Sequence, residues 1–594
     1  MAYVLADNII TPLGHTTQAV CQALADGRTA LQRYDAARLH VPEPYVAALL
    51  TDGQVACCAE AGTEAAARAD VSGLSRFEQI ALASARRALE EARIDAGADD
   101  VVLILASTKG SVEQMLRHDD AYPLLGDSAR RIARCLGIHT EPIVVCNACI
   151  SGVAALVLAQ RLLQWRYRYA VVCGADSPAR FVISGFQSLK ALSADPCRPF
   201  DMERCGLNLG EAAATLVLAR QPRPDTRWML TRGAVKNDAY HISAPSKTAE
   251  GLRCALQHTL QGTAPADLAL VNAHGTATLF NDQMESVAIA RAGLSAVPAN
   301  ALKGYFGHTL GAAGVMETIL CMHHLDEGTI VGTRGFGERG VSGEVNIAAA
   351  NRSTRKHRFV KLISGFGGCN ATILGTHVAH GGHGQEPPAP FCRQPLRCSH
   401  RVTITPQGAV VDGTPLALPA DADGHDLLTR IYRHCIADYP KYYKMDALSR
   451  LGFVASELLL QAEGAPRCHD GRTDRAVLLF NRTSSVQADR KYLESIEDAD
   501  NCFPSPSVFV YTLPNIVAGE IAIRNGYRGE TAFYILPEKN AQQMDDIMQA
   551  SLQDADTQSL LAGWVDYAAP ADYEATLAIY ERQPADGRHT PQML

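Results

Sequence analysis

The feature that most constrains the fold is an alternation of strand-like and helix-like segments over the first 380 or so residues. DVVLILAST and PIVVCN are short apolar runs typical of strands, while SRFEQIALASARRALEEARI has the apolar spacing of a helix. This alternation predicts an α/β fold. The chain has 594 residues, which is too many for one hydrophobic core, so we expect three or four compact units of ~100–200 residues.

Composition narrows the functional classes. A hydrophobic fraction of 47% and a charged fraction of 20% are typical of a soluble globular protein, and a net charge of −8 argues against a general nucleic-acid binder. The opening MAYVLADNIITPLG lacks the basic and apolar segments of a signal peptide, and no uninterrupted apolar run of ~18 residues predicts a membrane span. The 17 cysteines show no regular framework, so we expect a cytoplasmic protein with reduced thiols.

The C-terminal region carries a weak internal repeat of the first. A stretch rich in Gly, Pro and His, His377–Pro395, predicts a linker. Beyond it, the strand-like AVLLF at 476–480 corresponds to VVLIL at 101–105, and each follows a helix that opens with Leu-Ser-Arg. We interpret the region as a copy of the first part of the chain. In this copy, Glu538 occupies the position that Cys149, described below, has in the first part. Chance similarity between two α/β segments is the alternative.

A thiol lies at the junction of a strand and a helix in VVCNACISGVAALVLAQRLL, which begins at Val144. At a helix N-terminus, Cys149 would meet unpaired backbone N–H groups and the positive end of the helix dipole. Both favour the thiolate, which is the nucleophilic form, and a sharp turn would present it outward. The alternative is a buried structural cysteine, the commoner state of a free thiol.

Two histidine segments accompany this cysteine. NAHGT places His274 at the end of a strand, and LKGYFGHT places His308 at the start of a helix, five residues after Lys303 and nine before Glu317. A histidine at a helix N-terminus tends to stay neutral, and its N–H can then stabilise an oxyanion. Each histidine alone is more commonly a structural or surface residue.

Taken in order, these segments resemble the motifs of β-ketoacyl-acyl-carrier-protein synthases, which are condensing enzymes of the thiolase fold. NACISG resembles the nucleophile motif, NAHGTATLFND the first histidine motif and LKGYFGHTLGAAG the lysine–histidine motif. GFGGCNA resembles the gating loop, and RPFDMERCGLNLGEAA a further family segment. The resemblance implies a thiolase-like αβαβα layered α/β fold with two pseudo-repeated halves, 1–222 and 223–380, followed by a linker at 381–398.

The departures from the family pattern point to a divergent member. Asn147 replaces a threonine of the nucleophile motif, Ser364 a phenylalanine, and Cys205 an aspartate. Farther on, YTLPNIVAGEIAIRNGYRGE resembles the segment that precedes the nucleophile, yet no nucleophile, histidine or gating motif follows it. Residues 399–594 are therefore expected to form a degenerate, half-thiolase-like α/β domain without catalytic residues.

The resemblance implies a decarboxylative Claisen condensation. Cys149 would accept an acyl group, and His274 and His308 would stabilise the enolate formed when malonyl-carrier loses CO2, with Lys303 paired to Glu317. It implies no metal or other cofactor, and the lone Cys146-x-x-Cys149 pair adds no metal signature. The remaining implied site residues are Cys149 and Phe366 at the oxyanion hole and gate, and Thr276, Thr278, Asp282, Glu285, Gly365 and Gly367 in support.

The implied partners are acyl carrier proteins and a second copy of the chain. Arg130, Arg131 and Arg134 are a candidate basic patch for the acidic carrier, or an ordinary solvated helix face. A homodimer would be joined through the strand 142–147. The C-terminal domain is expected to dock on the synthase body; its symmetry mate and another pathway protein are the alternatives. The pathway would be fatty-acid, polyketide or aryl-polyene-type biosynthesis.

Two other functions stay open at this level. The chain could be a non-elongating partner that resembles a chain-length factor, or it could be a thiolase. Thiolases use a second cysteine as base where this chain has paired histidine motifs, which disfavours the thiolase alternative.

Overall fold

A computed structural model describes residues 1–60, 73–117, 124–380, 391–419, 424–464, 471–498 and 503–583. Helices and strands alternate along the chain, as predicted. Most of the predicted linker, 381–390, lies outside the described residues. Its predicted end at residue 398 is wrong, because residues 396–398 already belong to a strand.

The N-terminal half contains one mixed sheet of order β1-β8-β6-β4-β5, in which β4 runs parallel to β5 and β6. Its strands are β1 (Ala2–Ile10), β2 (Gln32–Tyr34), β3 (Tyr45–Ala48), β4 (Val101–Ala106), β5 (Ile143–Val145), β6 (Tyr169–Asp176), β7 (Leu209–Gly210) and β8 (Ala212–Ala219). Its helices are α1 (Thr17–Ala25), α2 (Asp52–Glu60), α3 (Arg76–Ala92), α4 (Leu125–Cys135), α5 (Ser151–Leu162) and α6 (Arg180–Ser188).

The second half repeats this arrangement with the order β9-β16-β15-β10-β11-β13. Its strands are β9 (Trp228–Asn237), β10 (Leu270–Asn272), β11 (Pro298–Asn300), β12 (Thr329–Ile330), β13 (Asn346–Ile347), β14 (Arg352–Ser353), β15 (Arg358–Gly365) and β16 (Cys369–His377). Its helices are α7 (Glu250–Thr259), α8 (Leu279–Arg291), α9 (Lys303–Phe306) and α10 (Ala313–Asp326).

Helices α5 and α10 form a central layer between the two sheets, while α3 and α7 cover the outer faces. Every residue of α5 is buried, which explains its nearly continuous apolar sequence. The two central helices cross at small residues: a Cβ at Gly152 would lie 3.1 Å from Gly314 Cα and 2.9 Å from Val315 N. The αβαβα layering predicted for this part of the chain is therefore confirmed.

The C-terminal domain contains a sheet of order β17-β23-β22-β20-β21, with the same strand directions as the N-terminal sheet. Its strands are β17 (Leu396–Thr405), β18 (Gly408–Val411), β19 (Thr414–Pro415), β20 (Arg475–Asn481), β21 (Thr531–Ile535), β22 (Ser559–Ala569) and β23 (Asp572–Arg582). Its helices are α11 (Leu427–Ile431), α12 (Ala447–Glu463), α13 (Val486–Glu494), α14 (Pro506–Tyr511), α15 (Ile516–Asn525) and α16 (Ala541–Ser551). The predicted half-thiolase-like domain is thus confirmed as a fold.

The two sheets join edge to edge. β21 pairs antiparallel with β5, with Tyr534 opposite Val145, and the amide of Cys146 donates to Phe533 O at 3.1 Å. Both edges of β5 are therefore used, one by β4 and one by β21. The predicted homodimer contact through 142–147 is wrong in this structure, because a strand has no third edge to offer.

Buried charges also cross this junction. Lys109 pairs with Asp489 at 2.5 Å, Arg161 with Glu530 at 2.7 Å, and Lys236 with Asp554 at 2.9 Å. In each pair the synthase body supplies the cation and the C-terminal domain supplies the carboxylate. Buried apolar residues of both domains also belong to the same hydrophobic clusters, so the junction acts as part of one core.

The helix face that a half-thiolase unit would leave bare is covered here. Helix α16 packs on α5 of the synthase body, and Gln549 exchanges side-chain hydrogen bonds with the backbone of Gln394 at 2.9 and 3.0 Å. Three residues before Gln394, the Phe391 ring lies with its centroid 5.6 Å from that of Trp165.

Among the described helices, none has the length and hydropathy needed to cross a bilayer.

Candidate active site

Cys149 lies in a strained turn between β5 and α5. Ala148 has a φ of 48°, a left-handed conformation that costs of order 1–3 kcal/mol in a non-glycine residue. The hydroxyl of Ser151 stabilises the turn, because it accepts from Asn147 N at 2.8 Å and donates to Ala148 O at 2.6 Å. The turn presents the thiol at the start of the central helix, as an elbow presents a nucleophile.

The two predicted histidines reach this thiol from the second half of the synthase body. His274 follows β10, and His308 lies between α9 and α10. His308 Nε2 is 3.0 Å from Cys149 Sγ, and the rings of His274 and His308 stand edge to face with centroids 4.9 Å apart. The fold thus brings together three residues that are up to 159 positions apart in sequence.

Two lysines share one buried carboxylate behind the histidines. Lys303 donates to Glu317 Oε1 at 2.9 Å and to His274 O at 2.6 Å. Lys361 pairs with the other Glu317 oxygen and donates to Ala273 O at 3.1 Å. Sequence reasoning missed Lys361; its signal was a lysine within the otherwise apolar strand segment FVKLISG.

This lysine pair affects the protonation of the histidines. Burial, followed by the charge of Lys303, holds the pKa of His274 and of His308 well below 6.5, so both imidazoles are neutral. The amide of Leu310 donates to His308 Nδ1 at 3.3 Å, so the ring proton of the neutral imidazole must be on Nε2. His308 therefore presents an N–H to the thiol side of the pocket.

Burial raises the pKa of the Cys149 thiol to about 12, while the charge of Lys303 acts in the opposite direction. The contribution that sequence analysis expected from the helix terminus therefore does not bring the pKa of this thiol below its ordinary value, because burial is the largest cause of the shift.

The His274 loop is held by two buried acids. Glu285 accepts from the amides of His274 and Gly275, both at 2.7 Å, and Asp282 accepts from Phe200 N at 2.7 Å. Burial raises the pKa of Asp282 to about 6 and is also the main cause of a raised pKa of Glu285. The hydroxyls of Thr276 and Thr278, which were expected to support the loop, lie 2.9 Å apart.

The gating turn, defined as residues 365–368, lies directly against the nucleophile. A Cβ at Gly365 would be 3.2 Å from Cys149 N, so glycine permits this approach, and Gly367 has a φ of 89°. The Phe366 ring stacks on that of Phe186 with centroids 6.3 Å apart. The backbone of Gly365, the residue before Phe366, thus lies next to Cys149 N, which is compatible with the oxyanion hole expected between the N–H groups of Phe366 and Cys149.

A cavity of about 360 Å³ opens over the thiol. Cys149, His274 and His308 line its floor, Phe366 one wall, and the exposed Phe280 its rim. The cavity is large enough for the acyl part of a substrate, and its walls are mainly apolar.

Within the part of the chain that the structure describes, two groups of side chains could hold a metal ion. One is Cys149, His274 and His308, whose ligand atoms lie within 4.8 Å of one another, and the other is His258 with Asp554 and Asp556. A lysine charge already lies at each group: Lys303 lowers the pKa of both site histidines, and Lys236 Nζ is 2.9 Å from Asp554. A second cation would meet electrostatic repulsion at either place.

The C-terminal counterpart of the nucleophile is a surface residue. The Glu538 side chain is 63% exposed and pairs with Arg130 at 3.3 Å. Arg130 also pairs with Glu141, and Arg131 with Glu78. Two of the three arginines in the predicted basic patch are therefore held in ion pairs within the chain.

Sequence reasoning also missed the contacts that the C-terminal domain makes with the site loops. Asn147 donates Nδ2–H to Thr531 O at 2.9 Å, across the junction between the domains. An amide reaches farther than the hydroxyl of the usual threonine, which gives the departure at this position a physical reason. On the other side of the thiol, Asn515 contacts the gating turn at Phe366 O.

Known proteins resemble this chain in the same regions. Sequence models described as "Beta-ketoacyl synthase, N-terminal domain" and "Beta-ketoacyl synthase, C-terminal domain" match residues 3–223 and 229–337, together more than half of the chain. Nodulation protein E of Rhizobium leguminosarum bv. trifolii is 31% identical over 260 residues, covering 41% of this chain and 64% of that protein. This chain therefore spans slightly less than two thirds of that relative.

Two further similarities bear on family and architecture. The tetracenomycin polyketide synthase ketoacyl synthase alpha subunit of Streptomyces glaucescens is 29% identical over 348 residues, covering 51% of this chain and 81% of that protein. The solved structure of the "PfaC Keto synthase-Chain length factor" shares the fold over 99% of this chain and 79% of its own, with a TM-score of 0.73 and 14% identity. With the site geometry and these matches together, the chain belongs to the β-ketoacyl synthase family.

Proposed function

We propose that this chain is a β-ketoacyl-acyl-carrier-protein synthase that elongates a Cys149-bound acyl group by decarboxylative Claisen condensation. The observation that carries the proposal is the group formed by Cys149, His308 and His274 at the floor of an apolar cavity. Cofactor-free condensation needs a nucleophile and neutral oxyanion donors, and this group supplies both.

The first step is transfer of the acyl group. The Cys149 sulfur attacks the carbonyl carbon of an acyl-carrier thioester, and the new C–S bond forms as the carrier sulfur leaves. The thiol proton passes to the departing carrier sulfur, so charge and atoms balance. The N–H groups of Cys149 and Phe366 are the donors proposed for the oxyanion of the tetrahedral intermediate.

The second step is condensation. Malonyl-carrier loses its carboxylate as CO2, and the electron pair of the broken C–C bond becomes an enolate. N–H groups of neutral His274 and His308 stabilise the enolate oxygen. The enolate carbon then attacks the Cys149 thioester, and the cysteine sulfur leaves as a thiolate that takes a proton from solvent. The product is a β-ketoacyl-carrier thioester two carbons longer.

The C-terminal domain takes the structural place of a second subunit in this proposal. Its strand β21 occupies the free edge of β5, where the family resemblance predicted a dimer partner. The PfaC protein, by its name, couples a ketosynthase with a chain length factor, and its fold follows this chain almost from end to end. A built-in, chain-length-factor-like half therefore fits better than a catalytic second site, because Glu538 cannot form an acyl thioester. Acyl carrier proteins remain the proposed partners, and the acyl chain to be elongated stays open.

Mass spectrometry of the intact protein tests the proposal. The wild-type protein mixed with a panel of acyl-carrier thioesters should gain the mass of one acyl group, and Cys149→Ala should gain none, with a loss of turnover of on the order of 10⁴-fold or more. Cys149→Gln should instead release CO2 from malonyl-carrier, because both histidines remain. Acylation of the Cys149→Ala protein would refute the assignment.

A further inference from the structure

The C-terminal domain contacts the gating turn through Asn515 and helix α15. Asn515, the residue before α15, donates Nδ2–H to Phe366 O at 2.8 Å. One helical turn later, a Cβ at Gly519 would lie 2.8 Å from Gly367 O. Helix α15 therefore packs its backbone against that of Gly367, while the Asn515 side chain just before the helix binds Phe366 O.

The chemistry of this contact determines which way the Asn515 amide faces. A backbone carbonyl only accepts hydrogen bonds, so the nitrogen of the amide must point at Phe366 O. Asn515 Oδ1 is buried and has no hydrogen-bond partner among the residues that the structure describes. An unpaired buried acceptor costs about 1–3 kcal/mol, which an apolar side chain would avoid. What this position gains from asparagine is thus the donor, which Nδ2 directs at Phe366 O and, at 3.8 Å, also at Cys369 Sγ.

A second amide binds the next carbonyl of the turn. Asn237 donates Nδ2–H to Gly367 O and to Thr531 Oγ1 of the C-terminal domain, each at 2.9 Å. Consecutive glycines at 367 and 368 impose little conformational restraint of their own. The synthase body adds further hydrogen bonds to the turn, from Cys369 Sγ to Phe366 O at 3.2 Å and from Gly367 N to Ile242 O at 2.6 Å, and Asn515 adds a donor from the C-terminal domain.

Aromatic rings transmit a parallel contact to the gate. Phe509 in α14 meets the Phe186 ring edge on, with centroids 5.6 Å apart, and Phe186 stacks on Phe366. The C-terminal domain thus supports both the ring and the backbone of Phe366, although it contains none of the residues that line the floor of the cavity.

We propose that Asn515 is a positioning residue for acyl transfer. By binding the Phe366 carbonyl, it orients the backbone of the residue whose N–H is the proposed oxyanion donor beside Cys149. Asn515 touches no reacting atom and acts through the gating turn. The inference rests on the proposed condensing activity, and it gives the C-terminal domain a direct influence on the chemistry of the other domain.

The test compares Asn515→Ala with a matched control at the same interface. Gln543 on α16 also donates a side-chain amide across the junction, to Glu141 O at 3.1 Å and Pro142 O at 3.2 Å, and it lies away from the gate. The rate of Cys149 acylation at saturating acyl-carrier should fall about tenfold in Asn515→Ala, with an unchanged KM. Gln543→Ala should acylate at the wild-type rate.

A pH series separates positioning from a loss of packing. Asn515→Asp keeps the shape of the side chain but can donate to Phe366 O only when its carboxyl is protonated. Because burial raises the pKa of a carboxyl group, its acylation rate relative to wild type should recover as the pH falls from about 8 to about 6. Asn515→Ala should show no such recovery.

Three outcomes would refute either the proposed function or the positioning role of Asn515. A wild-type protein that no acyl-carrier acylates would refute the proposed function itself. Acylation of the wild type with an equal rate in Asn515→Ala would overturn only the positioning role of Asn515. Equal slowing by Asn515→Ala and Gln543→Ala would also overturn it, because that result would show a general weakening of the interface.

Discussion

Two strand-to-helix junctions meet at the centre of this molecule and serve different purposes. β5 leads through Cys149 into α5, and β21 leads through Glu538 into α16, with the two strands paired antiparallel. The first junction has its side chain under a cavity with two histidines, while the second has its side chain 63% exposed beside Arg130.

The difference between the junctions is what surrounds them. Both histidines that face Cys149 come from the second half of the synthase body, and the C-terminal domain repeats only the first half. A strand-to-helix turn of this kind has no oxyanion donors and no enclosed pocket when the half of the fold that carries the two histidines is missing. This fold therefore makes a catalytic site from two halves, and a single half remains useful as a structural partner.

The largest effect should follow from removing the second junction. Deleting residues 396–594 exposes the edge of β5 and leaves Lys109, Arg161 and Lys236 without their carboxylates. The unpaired strand edge and the face of α5 that α16 covers would then be open to aggregation. We expect loss of soluble protein, measured by the soluble fraction and by size-exclusion chromatography.

A truncated protein of residues 1–380 that is soluble and fully active would contradict the structural role given to the second junction. It would show that the C-terminal copy is an independent module and that the buried ion pairs are dispensable.

The histidines opposite the first junction should have the next largest effect. His274→Ala and His308→Ala each remove one oxyanion donor, so malonyl decarboxylation should fall by ~10²–10³-fold. Transfer of the first acyl group to Cys149 should be less affected. Release of CO2 and intact mass measure the two steps separately, and normal condensation by either variant would refute the role given to that histidine.

Burial of the same histidines predicts a dependence of stability on pH. Their pKa is well below 6.5 in the folded state, so below pH 6.5 the unfolded chain binds more protons than the folded protein does. The free energy of unfolding therefore decreases as the pH is lowered. The loss is about 1.4 kcal/mol per pH unit for each histidine until the pH reaches the folded-state pKa. Urea denaturation between about pH 7.5 and pH 5.5 should give a shallower dependence for a His274→Asn, His308→Asn double variant. Equal slopes would contradict the depressed pKa values.

The smallest effect is expected at the second junction. Glu538→Ala removes only an exposed ion pair with Arg130, which is worth about 0–1 kcal/mol. Condensation should proceed at the wild-type rate, in contrast to Cys149→Ala. A large loss of turnover would mean that the C-terminal junction takes part in the chemistry after all.

Local sequence was sufficient for the parts of this protein that depend on neighbouring residues. The turn at Cys149, the strand before His274, the helix after His308 and the glycines at 365 and 367 follow from short motifs, because backbone conformation and spacing are local properties. The order of these motifs also predicted the layered fold, and the repeat predicted the half-domain at the C-terminus.

Tertiary structure alone determined how the halves fit together and what charge each group carries. Pairing of β21 with β5 closed the edge at which sequence predicted a homodimer, because an unpaired strand edge takes the nearest complementary strand. Burial raises the pKa of the Cys149 thiol, and a sequence pattern does not report burial. Lys361 and Asn515 lie 44 and 149 positions from the residues they bind, so only the folded chain reveals that they belong to the site.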